Sequence, residues 1–389
     1  MREIAFDVEE VEEGLASVLV PKLETYRLGP REYIPSRAPV FYNPLMKGNR
    51  DLAIAFLRKL RSDSGKGVLF GEPLTGTGVR GIRAVLEAGV EHAWINDLSK
   101  AAARVAEGNV RRNGVEERVT VEQLDANVFN LIHGSDFDYI DLDPFGSPSP
   151  FFESTMRALR DGGIVAVTAT DAATLCGVYP EKATARYGGR SIKTVFPKEF
   201  AVRLLIYGIV GAAARTEAGA WPLLSHVSGH YVRVYCRLRR GNREASRAIG
   251  QTGHVLYCRR CFNREGLSRK AREMPEIACP ICGGRRELAG PIWLGQHSDR
   301  PWVRSIIEAG EGLLELKAME MLRKLSLEDT EILGSYPIPK ISQYCHKSPP
   351  SRRRLLEGLR AVGIEAYESA FEGNAIKTAA DINQILKLL

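Results

Sequence analysis

The sequence predicts an α/β fold, a Rossmann-like sheet with helices on both faces, continued by a C-terminal α+β domain. Three observations predict it. Short apolar strands alternate with helix-spaced segments between residues 68 and 170. A glycine-rich turn, Gly71 to Gly81, joins the first of these strands to the first helix. Acidic residues stand just past successive strands, at Asp97, Asp125 and Asp143. That is where an open parallel sheet forms its ligand crevice.

Residues 1–50 read as an irregular extension holding Pro35-Ser36-Arg37-Ala38-Pro39 and Val40-Phe41-Tyr42-Asn43-Pro44. Val68-Leu69-Phe70 is the first strand, and Ile82, Val85 and Leu86 mark the helix after the turn. Glycines such as Gly76 and Gly78 let a ligand approach the backbone, and the helix amino end offers free N–H groups. Ala93-Trp94-Ile95 is a second strand ending in Asn96-Asp97. A carboxylate about 20 residues past the turn suits the two hydroxyls of a ribose. Val119-Thr120-Val121 is a third strand, followed by Asp125-Ala126. Asp125 can accept from an adenine amino group, and the Ala126 N–H can serve a ring nitrogen. Together these describe an adenosine pocket with no phosphate.

The fourth strand, with Phe137, Tyr139, Ile140 and Leu142, runs into Asp141-Leu142-Asp143-Pro144-Phe145-Gly146-Ser147-Pro148. That set can hold a planar nitrogen heterocycle. Phe145 stacks on its face, while Asp143 and a proline-fixed carbonyl at Pro144 accept protons from an amino group. Such a nitrogen is a poor nucleophile because its lone pair is delocalised; acceptors gripping its hydrogens make it more nucleophilic toward an electrophilic methyl. Three other readings compete. Asp-Pro and Gly-Ser-Pro are ordinary turn formers. Gly76 to Gly81 fits Gly-x-Gly-x-x-Gly, the pattern of a nicotinamide-binding dehydrogenase, although such an enzyme has no need of Asp-Pro-Phe. Cys176, after the fifth strand Ile164 to Thr170, stands where enzymes that methylate pyrimidine carbon-5 keep a nucleophile. Transfer to an amine needs no covalent adduct, so Cys176 is read as structural.

The chain has 389 residues, enough for two or three domains, with 44% hydrophobic and 26% charged residues. No apolar run approaches the roughly 20 residues that span a membrane, and Met1 to Glu13 lacks a signal-peptide pattern. A cytoplasmic location is expected. Net charge is +7, and the basic residues cluster: Arg237, Arg239, Arg240, Arg243 and Arg247; Arg259, Arg260, Arg264, Arg269, Lys270 and Arg272; Arg352 to Arg354. A solvated basic face is one reading; beside a base-shaped pocket, a polyanionic nucleic acid is the better one.

Cys258-x2-Cys261 is followed after 17 residues by Cys279-x2-Cys282. Two such tight turns place four thiolates tetrahedrally around zinc, and a closed four-sulfur shell is structural rather than catalytic. Cys236 and Cys345 read as small buried hydrophobes. Segments Trp221 to Val227 and Tyr231 to Leu238, joined by Ser228-Gly229-His230, read as strands pairing antiparallel at one edge of the sheet. Residues 239–250 look like a connection between domains, 251–292 are the knuckle region, and Leu313, Leu314, Leu316, Met319, Met321 and Leu322 fall on one helix. Residues 336–389 read as helix, turn, helix, strand and strand, a winged-helix pattern. The expected division is therefore 1–240 and 241–389.

With these residues assembled, the chain resembles the tRNA guanine-26 N2,N2-dimethyltransferase family of class I adenosylmethionine-dependent methyltransferases. The likeness runs from Glu13-Gly14-x-Ala16 through Asn49-Arg50-Asp51, Thr77 to Arg83, Asn96-Asp97 and Asp125-Ala126-Asn127. It continues through Asp141 to Pro148, Thr168-Ala169-Thr170-Asp171, Leu175-Cys176-Gly177, His230-Tyr231 and Gly290 to Gly295. The resemblance implies that Arg50, Arg80, Asp97, Asp125 and Ala126 contact S-adenosylmethionine. It also implies that Asp143 is the catalytic acceptor, that Phe41 and Phe145 sandwich a flipped guanine, and that the four cysteines hold zinc. tRNA is the implied substrate and a monomer the expected state. Three places depart from the family pattern: Glu72-Pro73 after the first strand, Ala172-Ala173-Thr174, and Arg186 to Arg190. A methyltransferase acting on another amino-bearing base of RNA or DNA, and a non-catalytic RNA-binding protein with a degenerate pocket, are the remaining alternatives.

Overall fold

The computed structural model describes residues 6–29, 32–229, 231–269 and 276–388. His230, Lys270 and Arg272 lie outside the described residues. Two compact units are present. The first comprises residues 1–144, 153–167 and 305–318; the second comprises 145–152, 168–304 and 319–389. The boundary expected at 240 falls inside the second unit.

The first unit is built on parallel strands β1 (Leu69–Glu72), β2 (His92–Asn96), β3 (Val119–Glu122), β4 (Phe137–Leu142) and β5 (Leu159–Ala169, whose last two residues fall in the second unit). Their order is 5-4-1-2-3. The helices between them include α1 (Lys47–Ser64, before β1), α2 (Val79–Ala88), α3 (Lys100–Arg112) and α4 (Ala126–Ile132). Crossovers between parallel strands are right-handed, so chain running outward from β1 in opposite directions lays helices on opposite faces. The order reverses between β1 and β4, and a ligand crevice opens at the carboxyl ends there. The strands are buried on both sides, with Phe70, Tyr139, Ile140 and Leu142 fully covered.

The amino-terminal region is more ordered than its sequence suggests. Val8–Glu13 and Ala16–Pro21 form an antiparallel hairpin in place of an irregular extension. Ala16, Val18 and Val20 are buried. The side-chain carbonyls of Asn109 on α3 and of Asn113, which follows it as the C-cap, accept from the Leu19 and Ser17 backbone N–H groups, at 2.7 and 3.0 Å. Alternation of only three apolar residues is a weak strand signal; the asparagines supply the remaining specificity.

In the second unit, Ala218–Ser228 and Tyr231–Arg240 pair antiparallel. The stretch expected to be a connection is instead the helix Asn242–Gly250, held by buried Ala245 and Ala248. Strands Thr252–Cys258, Arg264–Ser268 and Arg286–Trp293 form a three-stranded sheet carrying the knuckles. Leu313 and Leu314, which belong to the first unit, lie in the turn between the helices Arg300–Ala309 and Leu316–Leu327, where Gly312 adopts φ +74, so they are not on one helix with Leu316 and Leu322. The carboxyl end has helices Ile338–Cys345 and Arg352–Ala361 followed by paired strands Ala366–Glu368 and Ala375–Thr378, the expected winged-helix order. Lys377 on the last strand is fully buried. Its Nζ donates to Glu199 at 3.0 Å and lies 3.4 Å from Glu328.

Candidate functional site

The carboxyl ends of β1, β2 and β3 are tied together by one side chain. Asn96 is fully buried; its amide nitrogen donates to the Pro73 and Leu124 carbonyls at 2.9 and 3.0 Å, and its oxygen accepts from Leu124 N–H at 2.8 Å. This places the loops after the three strands side by side. Asp97, half-buried, accepts from the Gly76 N–H at 3.0 Å and the Ser99 N–H at 2.9 Å. Burial raises its carboxyl above the usual range, against the pull of those two N–H groups. Gly76 sits at φ +60, and a Cβ there would lie 2.8 Å from the Phe41 carbonyl oxygen. Only glycine lets the half-buried Phe41 segment approach the turn this closely. Asp125 is exposed and caps α4, accepting from the Asn127 N–H at 2.9 Å, while Ala126 behind it is buried.

Deeper in the crevice, Arg80 projects from the first turn of α2 into a nest of carboxylates. It is buried, and its guanidinium donates to Asn49 at 2.9 Å and to Asp143. Asp141 and Glu72 lie 3.3 and 3.4 Å from it. β1 and β4 are neighbours, so the acidic residues at their ends necessarily share this cation. Burial pushes the Glu72 carboxyl up to about 8; Arg80 opposes the shift and the Asp141 charge adds to it. Glu72 also accepts from Thr75 Oγ1 at 2.7 Å and from the Gly81 N–H at 3.2 Å, bracing the turn.

Arg50 is buried beside another acid. Its Nε donates to Glu13 Oε1 at 2.6 Å, and an Nη reaches the Asn43 carbonyl at 3.1 Å. Arg83, fully buried, joins Glu13 at 2.8 Å, Asp51 at 2.7 Å and Glu87 at 2.7 Å. Burial would raise Glu13, but the hydrogen bond and charge of Arg50, with Arg83 behind them, hold it down to about 2.

In the second unit the loop after Pro144 is laced to the Thr-Ala-Thr-Asp segment. Gly146 N–H donates to Thr170 Oγ1 at 2.6 Å, and Thr170 N–H returns to the Gly146 carbonyl at 2.9 Å. Ser147 Oγ donates to the Tyr187 hydroxyl at 3.0 Å, and that hydroxyl donates to Asp171 at 2.5 Å. Phe145, on this braced loop, is 62% exposed. A fastened loop thus presents a large, mostly exposed aromatic ring. Cys176 is half-buried with its Sγ 3.5 Å from the Pro197 carbonyl, and burial pushes its thiol up to about 11, an inert state. Cys236 is buried as expected, whereas Cys345 is half-buried.

The four knuckle sulfurs lie within 4.8 Å of one another, with Cys258 to Cys282 at 3.6 Å and Cys261 to Cys279 at 3.5 Å. Sulfurs at about 2.3 Å from a tetrahedral zinc stand roughly 3.8 Å apart, so the set fits that ion. Phe262 N–H returns to the Cys258 carbonyl at 2.8 Å and Gly283 N–H to the Cys279 carbonyl at 2.9 Å, closing the two turns. The basic run beside the knuckles is partly internal. Arg264 stacks 3.7 Å from the Tyr336 ring centre and donates to the Leu333 carbonyl, and Arg259 pairs with Glu287.

Several of these residues carry no sequence signal as site residues. Glu13 and Arg83 look like surface charges until burial pairs them. Tyr187 stands in a basic, glycine-containing segment. Asn96 could have been singled out, since an Asn immediately before a strand-end acid is suited to bridging neighbouring loops.

The model of the family described as N2,N2-dimethylguanosine tRNA methyltransferase matches residues 14–389. The tRNA (guanine(26)-N(2))-dimethyltransferase of Methanothermobacter thermautotrophicus is 33% identical over 383 residues, covering 97% of this chain and 98% of that protein. The tRNA (guanine(26)-N(2)/guanine(27)-N(2))-dimethyltransferase of Aquifex aeolicus is 32% identical over 390 residues, covering 98% and 95%. The structure of Trm1 from Pyrococcus horikoshii in complex with S-adenosyl-L-methionine superposes with a TM-score of 0.85 at 28% identity, covering 98% of this chain and 99% of that one. Together with the strand-end acids and the Asp-Pro-Phe loop, these matches place the chain in the N2,N2-dimethylguanosine tRNA methyltransferase family.

Proposed function

We propose that this chain transfers methyl groups from S-adenosylmethionine to the exocyclic N2 of a guanine in tRNA, guanine 26, giving N2-methyl- and then N2,N2-dimethylguanine. The observation that carries the reading is the Asp143 carboxylate, fixed by Arg80 at the mouth of the β1–β4 crevice. The cofactor supplies an electrophilic methyl. Asp97 receives the ribose hydroxyls, and Asp125 with the Ala126 N–H receives the adenine edge. The backbone at Gly76 and Gly78 allows close approach, and Arg50 and Arg80 face the cofactor's charged end. Asp143 and the Pro144 carbonyl accept the N2 hydrogens, orient the lone pair and take up the proton released after transfer. Phe41 and Phe145 are assigned to the two faces of the guanine, which must leave the helical stack because its amino group is otherwise out of reach. Positioning supplies much of the rate.

Residues 1–240 carry the chemistry in this reading, and 241–389 hold the tRNA, with Cys258, Cys261, Cys279 and Cys282 on structural zinc. No helix among the described residues is long and apolar enough to cross a membrane. We assign the enzyme to the cytoplasm, acting on tRNA as a monomer. The test is to incubate the purified chain with tRNA and S-adenosylmethionine, digest the RNA and weigh the nucleosides. Methylated guanosine mapped to position 26 supports the reading. Methylated adenosine would assign another base, and no product at all would leave an RNA-binding protein.

A further inference from the structure

The helix α5 (Pro180–Tyr187) stands directly behind the loop that carries Phe145. Its inward face is Ala183 and Tyr187, four residues apart and buried, and Tyr187 fastens it to Ser147 and Asp171. The adjoining face is Lys182 and Arg186, also four apart and exposed. Lys182 Nζ lies 4.8 Å over the ring of Tyr179, which is 49% exposed. Arg186 reaches Asp171 at 2.8 Å and neutralises it. Residues 190–193 run beside this surface: Gly177 adopts φ +92, and a Cβ there would meet the Ile192 carbonyl carbon at 2.2 Å. Arg190 and Lys193 are exposed, and the Arg190 backbone is fixed by paired hydrogen bonds with Gly290 at 2.9 and 2.8 Å. With Asp171 paired, Glu181 is the one acidic residue in the sequence between 178 and 193, against the cations Lys182, Arg190 and Lys193.

We propose that this face, formed by Tyr179, Lys182, Arg186, Arg190 and Lys193, grips the RNA backbone beside the target guanine. The inference rests on the reading of Phe145 as the ring that receives the base. A nucleotide drawn out of the stack leaves its two neighbouring phosphates under strain, and they need cations held at a fixed distance from the base platform. Tyr187 provides that fixed distance, since its hydroxyl joins α5 to the Phe145 loop from one side and to Asp171 from the other. The exposed Tyr179 offers an aromatic surface for a neighbouring base or sugar. RNA, rather than an acidic protein, is favoured because the cations and the exposed aromatic ring adjoin a base-sized aromatic platform.

The test uses the full chain with Lys182→Ala, Arg190→Ala and Lys193→Ala together. Arg186 is left in place because it also braces Asp171. tRNA binding is measured without turnover at several salt concentrations, and phosphate protection is mapped on the tRNA. The expected result is at least about a tenfold loss of affinity at moderate salt, and a salt slope shallower by about two to three, since each contact contributes about 0.9. Protection should disappear at phosphates within a few nucleotides of the methylated guanine, with melting temperature and S-adenosylmethionine affinity unchanged. An unchanged slope, or protection lost only at a distant part of the tRNA, overturns the proposal. Failure of wild-type protein to methylate guanosine would instead refute the function reading, because the binding measurement needs no chemistry.

Discussion

Arg80 and Asp143 form a charge-assisted pair in which an Nη of the buried arginine donates to a carboxylate that keeps 15% of its side chain accessible. A charge-assisted bond is among the strongest positional restraints a carboxylate can have. One oxygen of Asp143 is thereby anchored on Arg80, while part of the carboxylate side chain remains accessible. Asp143→Asn is expected to lower turnover about a hundredfold or more while S-adenosylmethionine still binds. Single-turnover methylation and calorimetric titration of the same variant decide it; retention of more than about a tenth of wild-type turnover removes the assigned role.

Acid titration tests the Glu13 cluster. Its carboxyl is held down to about 2, so its contribution to stability is complete above the unfolded value near 4.5 and is lost as pH falls toward 2. Glu13→Gln should therefore cost up to about 3 kcal/mol near pH 7, leaving Arg50 and Arg83 short of a partner. The deficit should shrink between pH 4.5 and 2. Denaturant unfolding of both proteins across that range provides the check, and a deficit that does not change with pH contradicts the pairing.

Freshly purified protein is expected to hold about one zinc per chain. Chelation, or Cys258→Ser with Cys279→Ser, should raise hydrogen exchange across the sheet Thr252–Trp293 and weaken tRNA binding, leaving S-adenosylmethionine affinity alone. Metal binding to a closed four-sulfur shell is part of local folding, so the loss is regional. Metal analysis finding no stoichiometric zinc would sink the assignment.

Arg352, Arg353 and Arg354 open a helix whose amino end disfavours cations, although Ser351 caps it by accepting from the Arg354 N–H at 3.2 Å. Among the described residues, Arg352 pairs with Glu368 and Arg353 with Glu357. Cations at this end are unfavourable to the helix dipole, and we propose that a polyanionic ligand offsets the cost. Reversing all three to glutamate should leave the melting temperature nearly unchanged, the gain at the helix amino end offsetting the new repulsion from Glu357 and Glu368, while tRNA affinity falls and its salt slope flattens. Binding isotherms at several salt concentrations report this. Unchanged affinity and slope would make the cluster a solvated face.

The strands, the glycine turn, the strand-end acids and the cysteine spacing were all readable in the chain. Each is a local pattern: two-residue alternation or an apolar run for buried strands, positive-φ glycines for the turn, and paired cysteines at knuckle spacing. The helix Asn242–Gly250 and the amino-terminal hairpin were not readable, because Ala245, Ala248, Ala16, Val18 and Val20 acquire their meaning only from what covers them. The charged partnerships were equally hidden. Sequence names Arg80, Glu72, Asp141 and Asp143 but cannot say that one guanidinium serves three carboxylates, since that depends on β1 and β4 becoming neighbours. Tyr187, Asp171 and Thr170 join the Phe145 loop only after the chain between them has folded back. Residue types and their short-range spacing determined the family of chemistry. The tertiary structure alone decided which charges lose their water, and therefore which side chains are fixed and which remain available to a substrate.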